Sequence, residues 1–341
     1  MNKKVIIIAE AGVNHNGDLT IAKKLIDAAA AAGVDFVKFQ TFKADKIVTQ
    51  NAQKAEYQVR NTKDGDNSQY NMLKKLEMPD DWHQFLIEYA KSKGIQFLST
   101  AFDNDSIDFL DQLGITILKI PSGEITNKPY LKKIAQKKKP IILSTGMSDL
   151  SEIKQAIEVL IKEGADRDSI TILHCTTEYP TPMLEVNLLA MNSIKAQLGF
   201  EVGYSDHTLG IEVPIAAVAL GASIIEKHFT LDKSMAGPDH LASLDPSELK
   251  KMVTAIRNIE AAISGSGNKE LSVSEAKNIA IARKSLFFKH SLKAGHIVGQ
   301  DDLISLRPGT GLSPMESDNI VGRILTVDVL KNDFVQFNQL E

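Results

Sequence analysis

The stretch Gly-Tyr-Ser-Asp-His-Thr at residues 203–208 and its counterpart Glu-Lys-His-Phe-Thr at residues 226–230 decide the fold. Each histidine, His207 and His228, follows a short apolar run that predicts a buried strand, and residues 210–220 between them suit one helix. Two parallel strands joined by a helix place both imidazoles at the same end of the sheet. Such a pair supplies half of a divalent-metal site, with room for water and substrate. The same pattern also suits two separate histidines that hydrogen-bond at strand ends.

Strand-like and helix-like segments alternate outward from this pair, over almost the whole first three quarters of the chain. The predicted strands occupy residues 5–9, 35–40, 95–99, 117–120, 141–144, 170–174, 200–204 and 223–226. The predicted helices occupy residues 21–32, 82–93, 105–113, 128–136, 150–163, 186–196, 210–220 and 246–263. Strands that are each followed by a helix predict an α/β protein with a closed (β/α)8 TIM barrel over residues 1–265. A doubly wound open sheet is the alternative, but it usually has fewer strands, and the sequence lacks its Gly-rich dinucleotide turn.

A long polar excursion interrupts the alternation after the second strand, at residues 41–78. Structureless loops of that length are uncommon inside compact domains. We therefore expect this excursion to be a functional lid or a contact with a partner.

The sequence changes character after Gly-Ser-Gly-Asn at residues 265–268. Residues 266–282 read as a linker with a connecting helix at 273–282, and residues 283–341 as a small β-rich module. Its predicted strands are residues 285–288, 304–306, 324–327 and 334–337. A module of this size is marginal alone, so we expect it to lean on the barrel or on a partner subunit.

Composition excludes several classes of protein. The net charge is -4 and the longest basic run is the lysine triplet at residues 137–139, which argues against nucleic-acid binding. Cys175 is the single cysteine, so no internal disulfide forms, and a reducing cytoplasm is expected. Because Cys175 and His174 are neighbours on a strand, they face opposite sides, and a packed thiol is expected. Residues 1–10 do not suit a signal peptide, and no apolar run reaches the roughly eighteen residues of a membrane helix.

Two lysines in apolar strands are the clearest sign of a site. Burial of an unpaired ammonium group is costly, yet Lys38 and Lys119 both lie near strand ends. Together with nearby hydroxyls they predict a pocket that grips a phosphate or a carboxylate. The alternative is a pair of structural salt bridges to Glu124 or Asp35.

Glu10 ends the first strand, at the same face as the two histidines. An anion pocket, a metal held by imidazoles and a carboxylate that moves protons predict metal-assisted chemistry on a phosphorylated acid. The residues alone do not name the reaction.

Several motifs of this sequence, in the same order, resemble those of the bacterial sialic acid synthases, which include N-acetylneuraminate and legionaminate synthases. The motifs are Ala-Glu-Ala-Gly-Val-Asn-His-Asn-Gly at 9–17, Val-Lys-Phe-Gln-Thr-Phe at 37–42, Lys-Ile-Pro-Ser-Gly-Glu at 119–124, Ser-Thr-Gly-Met at 144–147, Ser-Asp-His-Thr at 205–208, Glu-Lys-His-Phe-Thr at 226–230, Gly-Pro-Asp-His at 237–240 and Leu-Arg-Pro-Gly at 306–309. The resemblance implies a barrel followed by an antifreeze-like (SAF, β-clip) domain at residues 283–341. It also implies the condensation of phosphoenolpyruvate with an open-chain N-acyl mannosamine-type sugar and the release of phosphate.

The same resemblance assigns roles to individual residues. His207 and His228 match ligands of Mn2+ or Mg2+, and Glu10 is placed to shuttle protons. The positions that match phosphoenolpyruvate contacts are Lys38, Thr100, Lys119, Ser122, Ser144, Ser205 and Thr177, the last standing where some members have asparagine. The positions that match the sugar side are Gln40, Tyr179, Asp239 and Arg307. Family members are homodimers in which the small domain, with the arginine, caps the barrel of the other subunit.

The acceptor sugar stays open at this point. N-acetylmannosamine, which would give N-acetylneuraminate, is the first expectation, and 2,4-diacetamido-2,4,6-trideoxymannose, which would give legionaminate, is the alternative. A Schiff-base aldolase that uses Lys38 or Lys119 is a second kind of enzyme, one that needs no metal. A sugar- or metal-responsive binding protein on the same barrel is the non-enzymatic alternative.

Overall fold

The computed structural model describes residues 4–341. Residues 1–3 lie outside this range; they belong to the predicted barrel domain and to the segment that does not suit a signal peptide. The chain forms two compact units, one that ends at Gly265 and one that spans Ser266–Glu341. In the described part of the chain, no helix is long and apolar enough to cross a membrane.

Eight parallel strands of the first unit close into a barrel. Each strand pairs with the next one along the chain, and β8 pairs with β1. The strands are β1 Ile6–Gly12, β2 Phe36–Thr41, β3 Gln96–Ala101, β4 Leu118–Ile120, β5 Ile141–Ser144, β6 Ile170–Cys175, β7 Glu201–Asp206 and β8 Ile224–His228. The predicted (β/α)8 barrel is therefore confirmed, and the open-sheet alternative is wrong. Strands β1 and β8 extend past their predicted ends, and this extension brings Glu10 and His228 into regular pairing.

Eight helices surround the barrel and bury its outer face: α1 Leu19–Ala32, α5 Asp80–Ser92, α6 Asn104–Gln112, α7 Lys128–Gln136, α8 Leu150–Lys162, α9 Ala190–Leu198, α10 Glu212–Ala219 and α11 Pro246–Ala262. Three short helices, α2 Ala44–Ile47, α3 Glu56–Thr62 and α4 Gln69–Leu76, lie in the excursion after β2. Local sequence sets their ends. The side chain of Asp18 accepts hydrogen bonds from the first turn of α1, and Gly33 ends the helix with φ of 84°.

The excursion after β2 is folded. It contains the short helices α2, α3 and α4, and Phe42, Met72 and Leu76 pack with Val13 in a small core of their own. A backbone hydrogen bond from Lys54 N to Asn67 O (2.9 Å) closes residues 54–67, called the lid segment below.

The second unit has its own apolar core and little regular sheet. Helices α12 Val273–Ala276 and α13 Ile279–Ala282 replace the single connecting helix that was predicted. Strands β9 Ser285–Phe288 and β10 Leu303–Leu306 form at the predicted positions, and the structure shows that they pair antiparallel. The predicted strands 324–327 and 334–337 are wrong, because these segments join their neighbours only through isolated bridges. A bend at residues 326–327 follows the bridges of residues 324 and 325, and a turn at residues 331–332, with φ of 68° at Asn332, precedes the bridge of Phe334.

Candidate active site

A cavity of about 590 Å³ lies at the carboxyl ends of the barrel strands, within the usual range for ligand sites. Twelve of the predicted site residues line it: Glu10, Lys38, Gln40, Thr100, Lys119, Ser122, Ser144, Thr177, Tyr179, Ser205, His207 and His228. A larger cavity of about 1050 Å³ is lined by residues at the amino ends of strands, such as Ile6 and Ile224, and by none of these twelve. Because barrel enzymes carry their chemistry at the carboxyl ends, the smaller cavity is the candidate site.

The strand register places three of these side chains in one row. Glu10 is paired with Lys38 on β2 and with His228 on β8. Lys38 Nζ lies 2.7 Å from Glu10 Oε2 and donates to Thr100 Oγ1 at 2.9 Å. A Cβ added at Gly12 would lie 3.3 Å from Glu10, Gln40 and His228, so these three side chains converge around a position with φ of 53°. A residue with a side chain there would be strained and would crowd all three.

Glu226 is a central residue that sequence reasoning did not select. Its carboxylate lies 3.6 Å from Lys38 Nζ and 3.4 Å from Lys119 Nζ, and Ser205 Oγ donates to it at 3.1 Å. The suggested salt bridges to Glu124 or Asp35 are wrong: Glu124 accepts from Asn127, and Asp35 pairs with Lys4 and Arg257. The alternation of side chains along β8 could have identified Glu226, since it lies two residues before His228 and so shares its face.

The two buried carboxylates differ in charge behaviour. Burial would raise the pKa of Glu226, but Lys119 and Lys38 outweigh it and hold that pKa below its usual value. Burial raises the pKa of Glu10 more than Lys38 lowers it. Glu226 is therefore the ionised counter-ion of the two lysines, whereas the Glu10 carboxyl holds a proton more readily than an ordinary glutamate, a division of roles common in acid-base sites.

Hydroxyl groups complete the side of the cavity around Lys119. Lys119 Nζ donates to Ser144 Oγ at 2.8 Å, and Gly146 N donates to Ser122 Oγ at 2.9 Å. A Cβ at Gly146 would lie 2.5 Å from the Thr177 side chain, so only glycine fits. Cys175 is buried, as predicted for a packed thiol, with its sulfur 3.3 Å from Ser122 Oγ.

The two imidazoles are neutral and close together. Their ring centroids are 5.5 Å apart, and burial lowers the pKa of His207 to about 4 and that of His228 well below its usual value. His207 Nδ1 faces the Thr176 carbonyl and donates to it, so Nε2 accepts from the Tyr179 hydroxyl at 3.0 Å. This backbone contact fixes the ring in the way that metal-ligating histidines are usually held.

The donor set fits a weakly held divalent metal. Among residues 4–341, His228 Nδ1 is a buried nitrogen without a hydrogen-bond partner, and no group of three or more His, Cys, Asp or Glu side chains could hold an ion. The protein would thus supply two neutral imidazoles, and water or substrate would supply the remaining ligands.

Asp239 and Arg307 are the two predicted site residues outside the cavity lining. Burial, and then the charge of Glu10, raises the pKa of Asp239 to about 7, which places its carboxyl within electrostatic reach of the site. Ser243 Oγ donates to Asp239 O at 2.7 Å and fixes its backbone. Arg307 belongs to the second unit, where it is exposed and its Nε donates to Ala282 O at 3.0 Å. Its role at the site stays a prediction.

The lid segment contributes residues that the sequence did not single out. Ala55, Glu56, Tyr57 and Gln58 line the cavity. The ring of Tyr57 stacks on Tyr179 with centroids 5.0 Å apart, in line with the expected lid. The polar sequence of this excursion shows no apolar periodicity that would predict a helix, so these contacts could not be predicted from the sequence.

Comparisons with known proteins agree with the motifs. A model of the NeuB family matches residues 25–269, and a model of the SAF domain matches residues 283–341. The chain is 55% identical over 334 residues to the N,N'-diacetyllegionaminic acid synthase of Campylobacter jejuni, covering 98% of this chain and 99% of the relative. It is 50% identical over 337 residues to the protein of the same name from Legionella pneumophila, covering 98% and 94%. A solved N-acetylneuraminic acid synthetase of Leptospira borgpetersenii, in complex with citrate, gives a TM-score of 0.70 at 36% identity over 81% of this chain and 90% of that one.

Proposed function

The chain belongs to the NeuB family, the sialic acid synthases that its motifs resemble, and on this premise we propose that it makes N,N'-diacetyllegionaminic acid. The reaction condenses phosphoenolpyruvate with 2,4-diacetamido-2,4,6-trideoxymannose and water, and releases phosphate. N-acetylmannosamine is the second candidate acceptor. The diacetamido sugar is favoured because two relatives that share half or more of their residues with this chain are named for the legionaminic product.

One observation carries the chemistry: Lys38 and Lys119 share the carboxylate of Glu226 beside two neutral imidazoles. Among the described residues that line the cavity, Lys38 and Lys119 are the only lysine or arginine side chains. Phosphoenolpyruvate carries a carboxylate and a phosphate, and charge-assisted hydrogen bonds from two ammonium groups suit such an anion. Ser144 and Thr100, each already bonded to one of the lysines, add hydroxyl donors.

A divalent metal, Mn2+ or Mg2+, is part of the proposal. His207 and His228 would hold it, and when bound it would polarise the carbonyl of the sugar aldehyde.

The carbon–carbon bond forms when C3 of phosphoenolpyruvate attacks the aldehyde carbon. Electrons of the enol double bond make the new bond, and C2 becomes cationic. Water adds to C2, and the tetrahedral product loses phosphate as the C2 carbonyl forms. Glu10 moves a proton at the aldehyde oxygen or at the attacking water, a task suited to a carboxyl whose pKa is raised by burial. Gln40, whose Nε2 donates to Glu10 Oε1 at 3.2 Å, orients that carboxyl.

The working enzyme is proposed to be a cytoplasmic homodimer. Its small domain would cap the barrel of the other subunit and bring Arg307 to the acceptor sugar. The planar guanidinium group, with five donors, suits acyl carbonyls and hydroxyls.

A phosphate-release assay with the two sugars side by side tests the function. We expect release with the diacetamido sugar at a kcat/KM above that with N-acetylmannosamine, and none without metal. Higher kcat/KM with N-acetylmannosamine would overturn the choice of sugar. Inactivation by borohydride in the presence of pyruvate, with no need for metal, would indicate a Schiff-base aldolase instead. Binding of sugar without any phosphate release would indicate a binding protein.

A further inference from the structure

We propose that the lid segment selects the acceptor sugar, and that Tyr57 makes the selecting contact by packing on the substituents farthest from the aldehyde. This inference rests on the proposed function and names the residue that distinguishes one sugar from another within it.

The direction of the acceptor in the cavity follows from the chemistry. The aldehyde must meet phosphoenolpyruvate near Lys38 and the imidazoles, at the strand ends. The far end of a six-carbon acceptor then points away from the strands, toward the cavity wall that the lid segment forms with Ala55, Tyr57 and Gln58.

Tyr57 stands at the outer end of an aromatic stack that starts at the imidazoles. The ring centroids of Tyr179 and His207 are 4.1 Å apart. Tyr57 in turn stacks on Tyr179, with ring centroids 5.0 Å apart and an interplanar angle of 23°. Gln58 Nε2 donates to the Tyr57 hydroxyl at 3.3 Å, and Gln58 Oε1 accepts from Ala55 N at 2.9 Å. These contacts hold the Tyr57 ring in one place before any sugar binds, so little entropy is lost on binding.

An aromatic ring suits the diacetamido sugar better than N-acetylmannosamine. The first sugar carries an acetamido methyl at C4 and a bare methyl at C6, where the second carries hydroxyl groups. Apolar groups gain from contact with an aromatic face, and one such group changes kcat/KM by roughly 10- to 200-fold.

Charges on the lid also point to an acceptor without a phosphate. Arg60 Nη2 pairs with Glu178 at 3.1 Å, and Lys54 Nζ pairs with Asp64 at 2.7 Å. Glu56 adds a negative charge to the same wall of the cavity. A phosphate at the far end of the sugar would lie near these carboxylates. Arg60 and Lys54 would not be free to bind it, because they are already paired with Glu178 and Asp64.

The residues that hold the lid segment in place differ from the residue proposed to contact the sugar. Arg60 also donates to Tyr179 O at 3.3 Å, and Asn61 Nδ2 donates to Pro238 O at 2.8 Å. Loss of such a fastening contact affects every acceptor alike, whereas loss of Tyr57 affects acceptors according to their far substituents.

The test compares kcat/KM for the two sugars, at saturating phosphoenolpyruvate and Mn2+, in the wild type and four variants. Tyr57→Ala should change the ratio of the two kcat/KM values by about 10-fold or more, through the sugar KM, with the KM for phosphoenolpyruvate unchanged. Tyr57→Phe keeps the ring and should retain most of the ratio. Arg60→Ala should lower both kcat/KM values by a similar factor.

Tyr70→Ala is the matched control. Tyr70 belongs to the same excursion, but its hydroxyl donates to Asp45 at 2.6 Å and it does not line the cavity. This variant should keep both kcat/KM values. The proposal is overturned if Tyr57→Ala lowers kcat/KM for both sugars by the same factor, or if it raises the KM for phosphoenolpyruvate instead.

The outcome separates this inference from the proposed function. If the wild type prefers N-acetylmannosamine, the assigned acceptor is wrong. The selecting role of Tyr57 is then still decided by whether Tyr57→Ala changes the ratio of the two kcat/KM values. If the wild type releases phosphate with neither sugar, the proposed function fails, and calorimetric titration of each sugar into wild type and Tyr57→Ala decides the inference. An unchanged ratio of affinities, or no binding of either sugar, overturns it.

Discussion

Glu10 on β1 and His228 on β8 occupy paired positions in the parallel register of the barrel, and Lys38 is paired with Glu10 from the other side. A carboxyl with a raised pKa, a neutral imidazole and an ammonium group thus share one row of the barrel interior. Side chains alternate along β8, so Glu226 shares this interior face, while Lys227 between them pairs with Asp206 of β7. The register decides which charges meet in the cavity.

The first prediction concerns the metal. Because only two protein side chains would hold it, EDTA should abolish phosphate release and Mn2+ should restore it. His207→Ala and His228→Ala should lose about 100-fold or more of the activity while they keep a cooperative thermal transition. The exposed His290 supplies the control variant His290→Ala, which should be fully active. Full activity of either site variant would refute the metal site.

The second prediction concerns Lys119. A charge-assisted contact to an anion contributes roughly 1.5 to 3 kcal/mol, so Lys119→Met should raise the KM for phosphoenolpyruvate by about 10- to 150-fold. The KM for the sugar should change far less. Lys154→Met, at an exposed position of α8, is the control. An unchanged phosphoenolpyruvate KM in Lys119→Met would mean that this lysine is structural.

The third prediction concerns Glu226. Glu226→Gln keeps the shape of the side chain but leaves the buried Lys119 without a carboxylate partner and Lys38 with Glu10 alone, which should cost about 3 kcal/mol of unfolding free energy. Phosphoenolpyruvate supplies new negative charge at the same lysines. Its addition should therefore raise the Tm of the variant more than that of the wild type, as measured by thermal melts with and without the ligand. Equal ligand-induced shifts would contradict the proposal that phosphoenolpyruvate binds at the two lysines that Glu226 neutralises.

The fourth prediction concerns pH and His15. Burial, and then the nearby His83, lowers the pKa of His15 from 6.5 to about 4 in the folded protein. The unfolded chain therefore binds more protons in this range, so the contribution of His15 is fully present above pH 6.5 and is lost as the pH falls toward 4. Its size is roughly 3 kcal/mol.

Urea unfolding of wild type and His15→Asn between pH 8 and 5 measures this effect. Asparagine keeps an acceptor for Gly17 N, which donates to His15 Nδ1 at 3.0 Å. The variant should be less stable at pH 8 but should lose less stability on acidification. Parallel curves for the two proteins would show that His15 does not titrate as described.

The fifth prediction concerns Arg307 and the proposed dimer. Arg307→Ala should leave the dimer intact and lower kcat/KM for the sugar by about 10- to 150-fold, the loss of one charged contact. Glu10→Ala should be inactive, and a chain that ends after Gly267 should give an inactive barrel. Mixed dimers of Arg307→Ala and Glu10→Ala should regain partial activity, because one site then holds both residues. Mixed dimers that form, as judged by differently tagged chains, and show no activity would place the whole site within one subunit.

Most of the barrel could be predicted from the sequence because its strands are short apolar runs and its helices have local start and stop signals. Helix α7 and strand β5 have the predicted bounds, since Asn127 caps α7 with a proline in its first turn, and the apolar run Ile-Ile-Leu marks β5. The strands predicted at residues 324–327 and 334–337 of the second unit were wrong, because an apolar run predicts extended backbone but not how far its pairing with a neighbour continues.

The sequence by itself determined the alternation of eight strands with helices, the lysines near the strand ends and the two histidines at the mouth, since each depends on local hydrophobicity and chain order. Only the tertiary structure decided which carboxylates face those lysines. Glu226 and Lys119 are far apart in the chain, and barrel closure together with strand register brings their charges to 3.4 Å. The same holds for Tyr57 and Tyr179, whose stacking depends on how the lid segment folds back over the strand ends, a non-local contact that no periodicity encodes.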